Sequence, residues 1–169
     1  MNRFFLVGYM GSGKTSMGKL LANKLGYTFV DMDARIEEKY LKTVSDIFAE
    51  MGQEKFREME RDCLHEVATF ENVVISTGGG APCFFDNMDY MNHRGITVYL
   101  NLSVPQLVER LSSSRPGKRP LIDGLKGQRL EQFIVDALAT RQLFYSKAQI
   151  HISGTDEEMV EKITSLKAL

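Results

Sequence analysis

Apolar and polar positions alternate along the chain in two kinds of block. Short apolar runs predict buried strands at residues 4–7, at 28–30 with Asp31 at the end, and at 73–75, 96–100 and 149–152. Between them, apolar residues recur at helical spacing and predict helices over 14–25, 36–41, 44–51, 53–70, 103–111, 130–148 and 156–166. Gly52 interrupts this spacing, and Thr43 and Ser103 are suited to N-caps. Because strands alternate with helices, the predicted fold class is α/β, with a mainly parallel sheet covered by helices on both faces.

The loop after the first strand carries the pattern G-x-x-x-x-G-K-[ST], here Gly8-Tyr9-Met10-Gly11-Ser12-Gly13-Lys14-Thr15. Its glycines let backbone N–H groups turn inward around phosphates, Lys14 can reach the β- and γ-phosphates, and the Thr15 hydroxyl can ligate Mg²⁺. The following helix adds its N-terminus, where free N–H groups favour anions. The motif predicts nucleotide binding but does not choose between an ATPase, a GTPase and a metabolite kinase.

Residues 112–127 form a long stretch without periodicity that holds three glycines and two of the four prolines. Over 109–129 there are six basic residues and two acidic ones. Such a segment is typical of a functional lid or of a solvated flexible loop. Since phosphoryl transfer needs cations and the exclusion of water, the phosphate loop favours the lid.

Composition limits the possible functions. The 169 residues fit a single domain over 1–169, and the net charge of −1 argues against a broad nucleic-acid or membrane surface. No apolar run approaches the ~20 residues of a membrane span, and no secretory signal precedes the first strand, so we expect a cytoplasmic protein. The two cysteines give no disulfide framework. Cys63 falls on an apolar helical face and is expected in the core, whereas the role of Cys83 stays open.

Two carboxylates follow the second strand, at the edge of a parallel sheet where ligands bind. In an extended chain Asp31 and Asp33 point the same way, so that one can support a Mg²⁺ shell while the other meets an acceptor hydroxyl. The alternative is structural, because Asp33 precedes a helical stretch and Asp is a favoured N-cap.

An arginine and a glycine triplet extend this set. Arg57 lies beside Phe56 at the border of an apolar stripe, where it can bind a carboxylate or a diol, or else pair with Glu60 or another acidic neighbour. Gly78-Gly79-Gly80 follows the third strand and leaves backbone N–H groups open to a ligand. No acidic residue ends that strand, which leaves Asp31 for the magnesium shell.

Two more arginines are candidates for anion binding. Arg119, in the middle of the lid, can swing over the phosphates and stabilise transition-state charge. Arg141, four residues before Tyr145, can meet an anionic substrate, or else is a solvated helix residue.

Taken in order, the phosphate loop, Asp-x-Asp, Phe-Arg-x-x-Glu, Gly-Gly-Gly, Lys-Arg-Pro-Leu and Arg-x-x-x-Tyr closely resemble the shikimate kinase family from Phe4 to about Ile152. The resemblance implies a three-layer α/β/α fold with a five-stranded parallel sheet, a lid at about 112–127 and a shikimate-binding region at about 31–60. It implies a monomer that transfers the γ-phosphate of ATP to the 3-hydroxyl of shikimate, in aromatic amino acid biosynthesis. One departure is that Gln142-Leu143 stand where members often have Pro, which concerns the turn after Arg141 and not its role.

The resemblance also implies roles for individual residues. Asp33 would hydrogen-bond the shikimate hydroxyls and act as the base, and Arg57, Arg141, Gly79 and Gly80 would bind shikimate. Lys14 and Arg119 would act on the transferred phosphoryl group, and Thr15 would ligate Mg²⁺ with Asp31 supporting it through water. ATP would be held by Gly11, Ser12, Gly13, Lys14, Thr15, Ser16, Arg110, Arg119 and Thr155.

Rival functions remain to be separated. A gluconate or nucleoside monophosphate kinase is disfavoured by Arg57 together with the glycine triplet. A GTPase switch is disfavoured because the chain has no Asn-Lys-x-Asp motif. ATP and shikimate are therefore the expected partners, with Mg²⁺ as cofactor and with neither nucleic acid nor membrane.

Overall fold

The computed structural model describes residues 2–116 and 118–167. Within them lie five strands and seven α-helices. The strands are β1 Arg3–Val7, β2 Thr28–Asp31, β3 Val73–Ser76, β4 Ile96–Leu100 and β5 Ile150–Ile152. The helices are α1 Lys14–Leu25, α2 Met32–Tyr40, α3 Val44–Val67, α4 Asn87–Arg94, α5 Val104–Ser112, α6 Gly127–Tyr145 and α7 Asp156–Lys167. Two 3₁₀ helices, Ala81–Cys83 and Pro120–Ile122, complete the described elements.

The five strands form one parallel sheet in the order β2-β3-β1-β4-β5. In register, Leu6 of β1 lies beside Ser76 of β3 and Val98 of β4. The three-layer α/β/α fold with a five-stranded parallel sheet is confirmed. Because all five strands run the same way, the phosphate loop, the Asp31 region and the glycine triplet leave the sheet at the same edge.

The core lies along the central strands. Phe4 to Val7 of β1 and all of β3 are buried, as expected for parallel strands covered on both faces. Helix α1 packs against α7 and against the strands of this half of the sheet. Cys63 is 4% exposed, so the expected core position is confirmed. None of the helices in the described part of the chain is long and apolar enough to span a membrane.

The geometry expected for the Asp-x-Asp pair is wrong. Asp31 ends β2 and is the N-cap of α2, where its side chain accepts a hydrogen bond from the Ala34 N–H at 3.1 Å. Asp33 therefore lies in the first helical turn and not in an extended chain, and it is not the N-cap either. Helix α2 begins at Met32, four residues before the predicted start, because Asp31 supplies the cap.

Other predicted boundaries differ by a few residues. Thr43 and Ser103 are N-caps as predicted, and Gly52 has φ 81° and ψ 169°, which breaks α3 into two helical parts. Helix α4, in which Asn87, Met88 and Met91 are buried, was not predicted. In the predicted lid, Gly117 lies outside the described residues. The rest of that segment includes a 3₁₀ helix whose Ile122 is buried, so it is anchored to the core near its middle.

Candidate active site

The phosphate loop is shaped by two glycines in the left-handed region. Gly11 has φ 78° and Gly13 has φ 93°, conformations that other residues rarely adopt. The Lys14 ammonium lies inside the loop and donates to the carbonyl oxygens of Gly8 at 2.6 Å and Tyr9 at 3.0 Å. Burial lowers the pKa of Lys14 to about 8, although Asp33 opposes that shift. The loop therefore holds its lysine in place for an anionic ligand, whose charge would favour the protonated form.

A cavity of about 730 Å³ opens beside this loop. Its lining unites most of the predicted ATP-binding residues with the carboxylates and the lid, and it includes Gly11, Gly13, Lys14, Thr15, Ser16, Asp31, Asp33, Gly78, Gly79, Arg110, Lys118 and Arg119. Ser12 is fully buried, and its Oγ has no hydrogen-bond partner among the described residues. Sequence-predicted residues from five separate segments are thus brought to one site.

Thr15 and Asp31 are neighbours at the wall of this cavity. The Thr15 hydroxyl donates to Asp31 Oδ2 at 3.0 Å. Two hard oxygen donors at the start of α1 and the end of β2 match the ligand preference of Mg²⁺. This donor set fits the predicted metal.

Asp33 is half-buried and lies against the glycine triplet. A Cβ atom at Gly78 would lie 3.1 Å from Asp33 Oδ1 and 2.7 Å from Glu60 Oε2, so both carboxylates face the same bare backbone. Burial raises the pKa of Asp33, the neighbouring charge of Asp31 raises it further, and Lys14 opposes the shift. Asp33 lines the 730 Å³ cavity and also a second cavity of about 750 Å³ between the lid and α2–α3.

Arg57 forms a buried ion pair that the sequence named only as an alternative. Its Nη1 lies 2.7 Å from Glu60 Oε1, and the side chains are 12% and 1% exposed. Burial raises the pKa of Glu60 to about 7, and Arg57 opposes that shift. Glu60 was missed as a site residue, although a signal existed, since it lies on the buried stripe of α3 between Phe56 and Cys63.

Arg141 also lies beside the triplet. Its guanidinium carbon lies 5.5 Å from the centre of the Tyr9 ring, and a Cβ atom at Gly79 would lie 3.3 Å from its Nη1. One turn later on α6, the buried Tyr145 hydroxyl donates to the Gly79 carbonyl at 2.5 Å. Tyr145 thus holds the triplet backbone, a role that the sequence motif did not reveal.

The segment predicted to be a lid contributes two cations. Lys118 and Arg119 line both cavities, and the Arg119 guanidinium donates to the Ser114 hydroxyl within the same segment. Arg119 therefore lies where the two cavities meet the lid.

Arg110 and Thr155 lie together at the far end of the phosphate loop. Arg110 Nη2 is 3.9 Å from an Asp156 carboxylate oxygen, and a Cβ atom at Gly13 would lie 2.7 Å from Arg110 Nη1. The Thr155 hydroxyl accepts from the Glu158 N–H at 3.2 Å, and the Thr155 N–H donates to Glu158 Oε2 at 2.9 Å. Thr155 thus caps the N-terminus of α7, and it borders a small cavity of about 320 Å³ together with Arg110.

This fold and site define a phosphate-loop kinase, in which two carboxylates and two arginines lie beside the glycine triplet. The family model described as shikimate kinase matches residues 10–167. A shikimate kinase from Parabacteroides distasonis is 57% identical over 150 residues, which cover 89% of this chain and 86% of that protein.

Solved structures agree. The crystal structure of shikimate kinase from Bacteroides thetaiotaomicron superposes with a TM-score of 0.94 at 47% identity, covering 99% of this chain and 98% of that one. Shikimate kinase from Acinetobacter baumannii in complex with shikimate has a TM-score of 0.88 at 34% identity, covering 99% and 93%. The chain belongs to the shikimate kinase family, and it is an ATP-dependent kinase that phosphorylates shikimate.

Proposed function

We propose that Asp33 is the base for this phosphoryl transfer and that the two cavities it lines hold the two substrates. The observation that carries the proposal is the position of Asp33, which lines both the phosphate-loop cavity and the cavity beneath the lid. A group at that junction can contact an acceptor hydroxyl and face the γ-phosphate at the same time.

In the proposed step, the Asp33 carboxylate accepts the proton of the 3-hydroxyl of shikimate. The hydroxyl oxygen bonds to the γ-phosphorus while the bond from that phosphorus to the bridging oxygen breaks, and ADP leaves. Lys14 and Arg119 stabilise the charge on the transferred group. Because the transition state is loose, positioning and charge supply most of the catalysis.

The acceptor side is suited to a small carboxylated polyol. Arg57 and Arg141 converge on the neighbouring residues Gly80 and Gly79, so their guanidinium groups can hold one carboxylate between them. The backbone N–H groups of the triplet would add neutral donors. The complex of the Acinetobacter baumannii relative with shikimate supports this assignment.

The nucleotide side would be held by residues 11–16, with Arg110 and Thr155 flanking the base. Thr15 would ligate Mg²⁺ and Asp31 would support it through water, since their oxygens already form a pair at 3.0 Å. When bound, the metal would neutralise charge on the β- and γ-phosphates.

A coupled ADP-release assay tests the acceptor. We expect ADP release with shikimate and none above the water background with gluconate or AMP. A rate with gluconate or AMP equal to that with shikimate would contradict the proposed acceptor site.

We also expect a monomer and a cytoplasmic location, and sedimentation velocity of the purified chain checks the first of these.

A further inference from the structure

The guanidinium of Arg57 lies against three phenyl rings. Its central carbon is 5.7 Å from the centre of Phe48, 5.2 Å from Phe56 and 4.1 Å from Phe84. Phe48 and Phe56 belong to α3 and pack on each other at 4.5 Å, so they form one wall with Arg57 on the same helix. Phe84 comes from a different segment and makes the shortest of the three contacts.

Phe84 is held by the loop that follows the glycine triplet. The Cys83 N–H donates to the Gly80 carbonyl at 2.9 Å, and the buried Asn87 amide donates to the Ala81 carbonyl at 2.9 Å. The Asn87 N–H donates to the Phe84 carbonyl itself at 3.2 Å. These bonds fix the ring relative to the triplet.

The next residue forms a second pair of the same kind. Phe85 has φ 51°, is 51% exposed, and lies 4.9 Å from the guanidinium carbon of Arg61. Arg57 and Arg61 are one turn apart on α3, and the two adjacent phenyl rings cover one each. A bulky residue at positive φ is unfavourable, so the backbone is held in this conformation by its surroundings.

The position of Arg57 is not fixed by hydrogen bonds alone. Its Nη1 bonds to Glu60, while its Nε is buried with no partner among the residues that the structure describes. A single ion pair lets a guanidinium rotate, whereas a ring stacked on its face restricts that rotation. The bare Cα of Gly80 leaves room for the guanidinium on the triplet side.

We propose that Phe84 is a positioning residue for shikimate binding, which acts by holding the face of the Arg57 guanidinium so that the group meets the substrate carboxylate. This inference rests on the proposed role of Arg57. Phe85 makes the same kind of contact with Arg61, which is not among the residues proposed to bind shikimate, and it therefore provides a matched control.

The test compares Phe84→Leu with Phe85→Leu in steady-state kinetics. We expect Phe84→Leu to raise KM for shikimate by roughly tenfold, the effect of losing one desolvated cation–π contact, with kcat and KM for ATP near those of the parent. Phe84→Tyr, which keeps an aromatic face, should restore KM to within about twofold of the parent, and Phe85→Leu should match the parent. An unchanged KM for shikimate in Phe84→Leu, or equal rises in both Leu variants, would overturn the proposal.

Two further measurements distinguish the proposed role of Phe84 from the proposed role of Arg57, on which it rests. With the carboxamide of shikimate as acceptor, Phe84→Leu should differ little from the parent, because the charged partner of Arg57 is missing. Arg57→Lys should raise KM for shikimate in either case. If it does not, the proposed role of Arg57 fails, whereas a rise in Arg57→Lys with none in Phe84→Leu rejects only the role of Phe84. If Phe84→Leu does not fold, Phe84→Met replaces it with the same expected values.

Discussion

Asp33 can act as a base only while its carboxyl is ionised. Burial and Asp31 raise its pKa above the ordinary 3.8, so the acid limb of kcat/KM should lie above that pH. We expect Asp33→Asn to lower kcat by about 10² to 10⁴, the usual contribution of a general base, with ATP affinity nearly unchanged. Turnover numbers and nucleotide titrations check this, and parental turnover in the variant would exclude Asp33 as the base.

Glu60, the partner of Arg57 in the buried ion pair, makes the free energy of unfolding depend on pH. Its pKa is about 7 in the folded protein and near 4.5 in the unfolded chain, because burial disfavours the charged form. Between these pH values the folded state keeps a proton that the unfolded state has lost. The contribution of Glu60 is therefore fully present below pH 4.5 and falls by about 3 kcal/mol as the pH rises to 7.

In Glu60→Gln the side chain at position 60 is uncharged at every pH. This variant should therefore lack the fall in stability with rising pH that Glu60 causes. In urea unfolding at pH 5 and pH 8, we expect the parent to lose stability relative to the variant by a few kcal/mol. Glu58→Gln is the matched control, since Glu58 is exposed on the same helix and pairs with Lys55. Parallel profiles for the parent and Glu60→Gln would show that Glu60 titrates alike in both states.

At the scale of elements, the glycine triplet leaves room for two arginines, because its residues have no Cβ atoms. Gly80 has φ −88° and ψ −15°, which suit any residue, so alanine there adds a Cβ without backbone strain. That atom would lie 2.6 Å from Nη2 of Arg57, so the guanidinium would have to move. Because Arg57 forms an ion pair with the buried Glu60, this movement would also displace the Glu60 carboxylate. We expect Gly80→Ala to raise KM for shikimate by ~10-fold or more, as overpacking of 1–3 kcal/mol implies, while KM for ATP stays constant.

Gly79→Ala is the comparison for this variant, because its Cβ would lie at 3.3 Å from Arg141 Nη1 and needs only a small adjustment. Its KM for shikimate should rise less than that of Gly80→Ala. An equal rise in KM for shikimate in the two variants, or a rise in KM for ATP alone, would contradict the conclusion that the missing Cβ of Gly80 makes room for Arg57.

The elements that sequence predicted best carry local signals at both ends. Helix α1 was predicted to the residue, since Gly13 and Gly26 both take left-handed conformations at its boundaries. The predicted start of α2 was four residues too late. The sequence of residues 31–33 is compatible both with a helix N-cap and with two carboxylates in an extended chain, and the structure has the N-cap. The ion pair of Glu60 needs only α3, but its burial depends on the triplet loop, 18 residues further on, which no local pattern specifies.

At the scale of the whole molecule, the parallel sheet explains why a site assembled from distant segments was still predictable. The loops after β1, β2 and β3 must leave the same edge, so motifs at strand ends converge whatever their separation in sequence. Side-chain contacts that cross between α-helices and the loop after the triplet do not follow from this rule. For that reason the fold and the motif residues were predictable, whereas Phe84 and the role of Tyr145 were found only from the structure.

The lid is the part of the molecule expected to respond to both substrates. Lys118 and Arg119 line the two cavities, while Leu121 lines the one between the lid and α2–α3 and is 68% exposed, so closure over ligands can bury it further. Ile122 is buried and anchors the segment, which suggests that movement is concentrated before this residue. We therefore expect amide hydrogens in 112–121 to exchange fast in the free protein and at least tenfold more slowly with ATP and shikimate together.

Hydrogen-exchange mass spectrometry measures this, with the peptide containing α4 as an internal control that should not change. Arg119→Ala should keep the fast exchange of the free protein and lose most of the added protection, because a cation that lines both cavities is gone. Equal exchange of 112–121 in the free and bound protein would reject a closing lid. Full protection in Arg119→Ala would instead assign closure to Lys118 and the apolar contacts of Leu121.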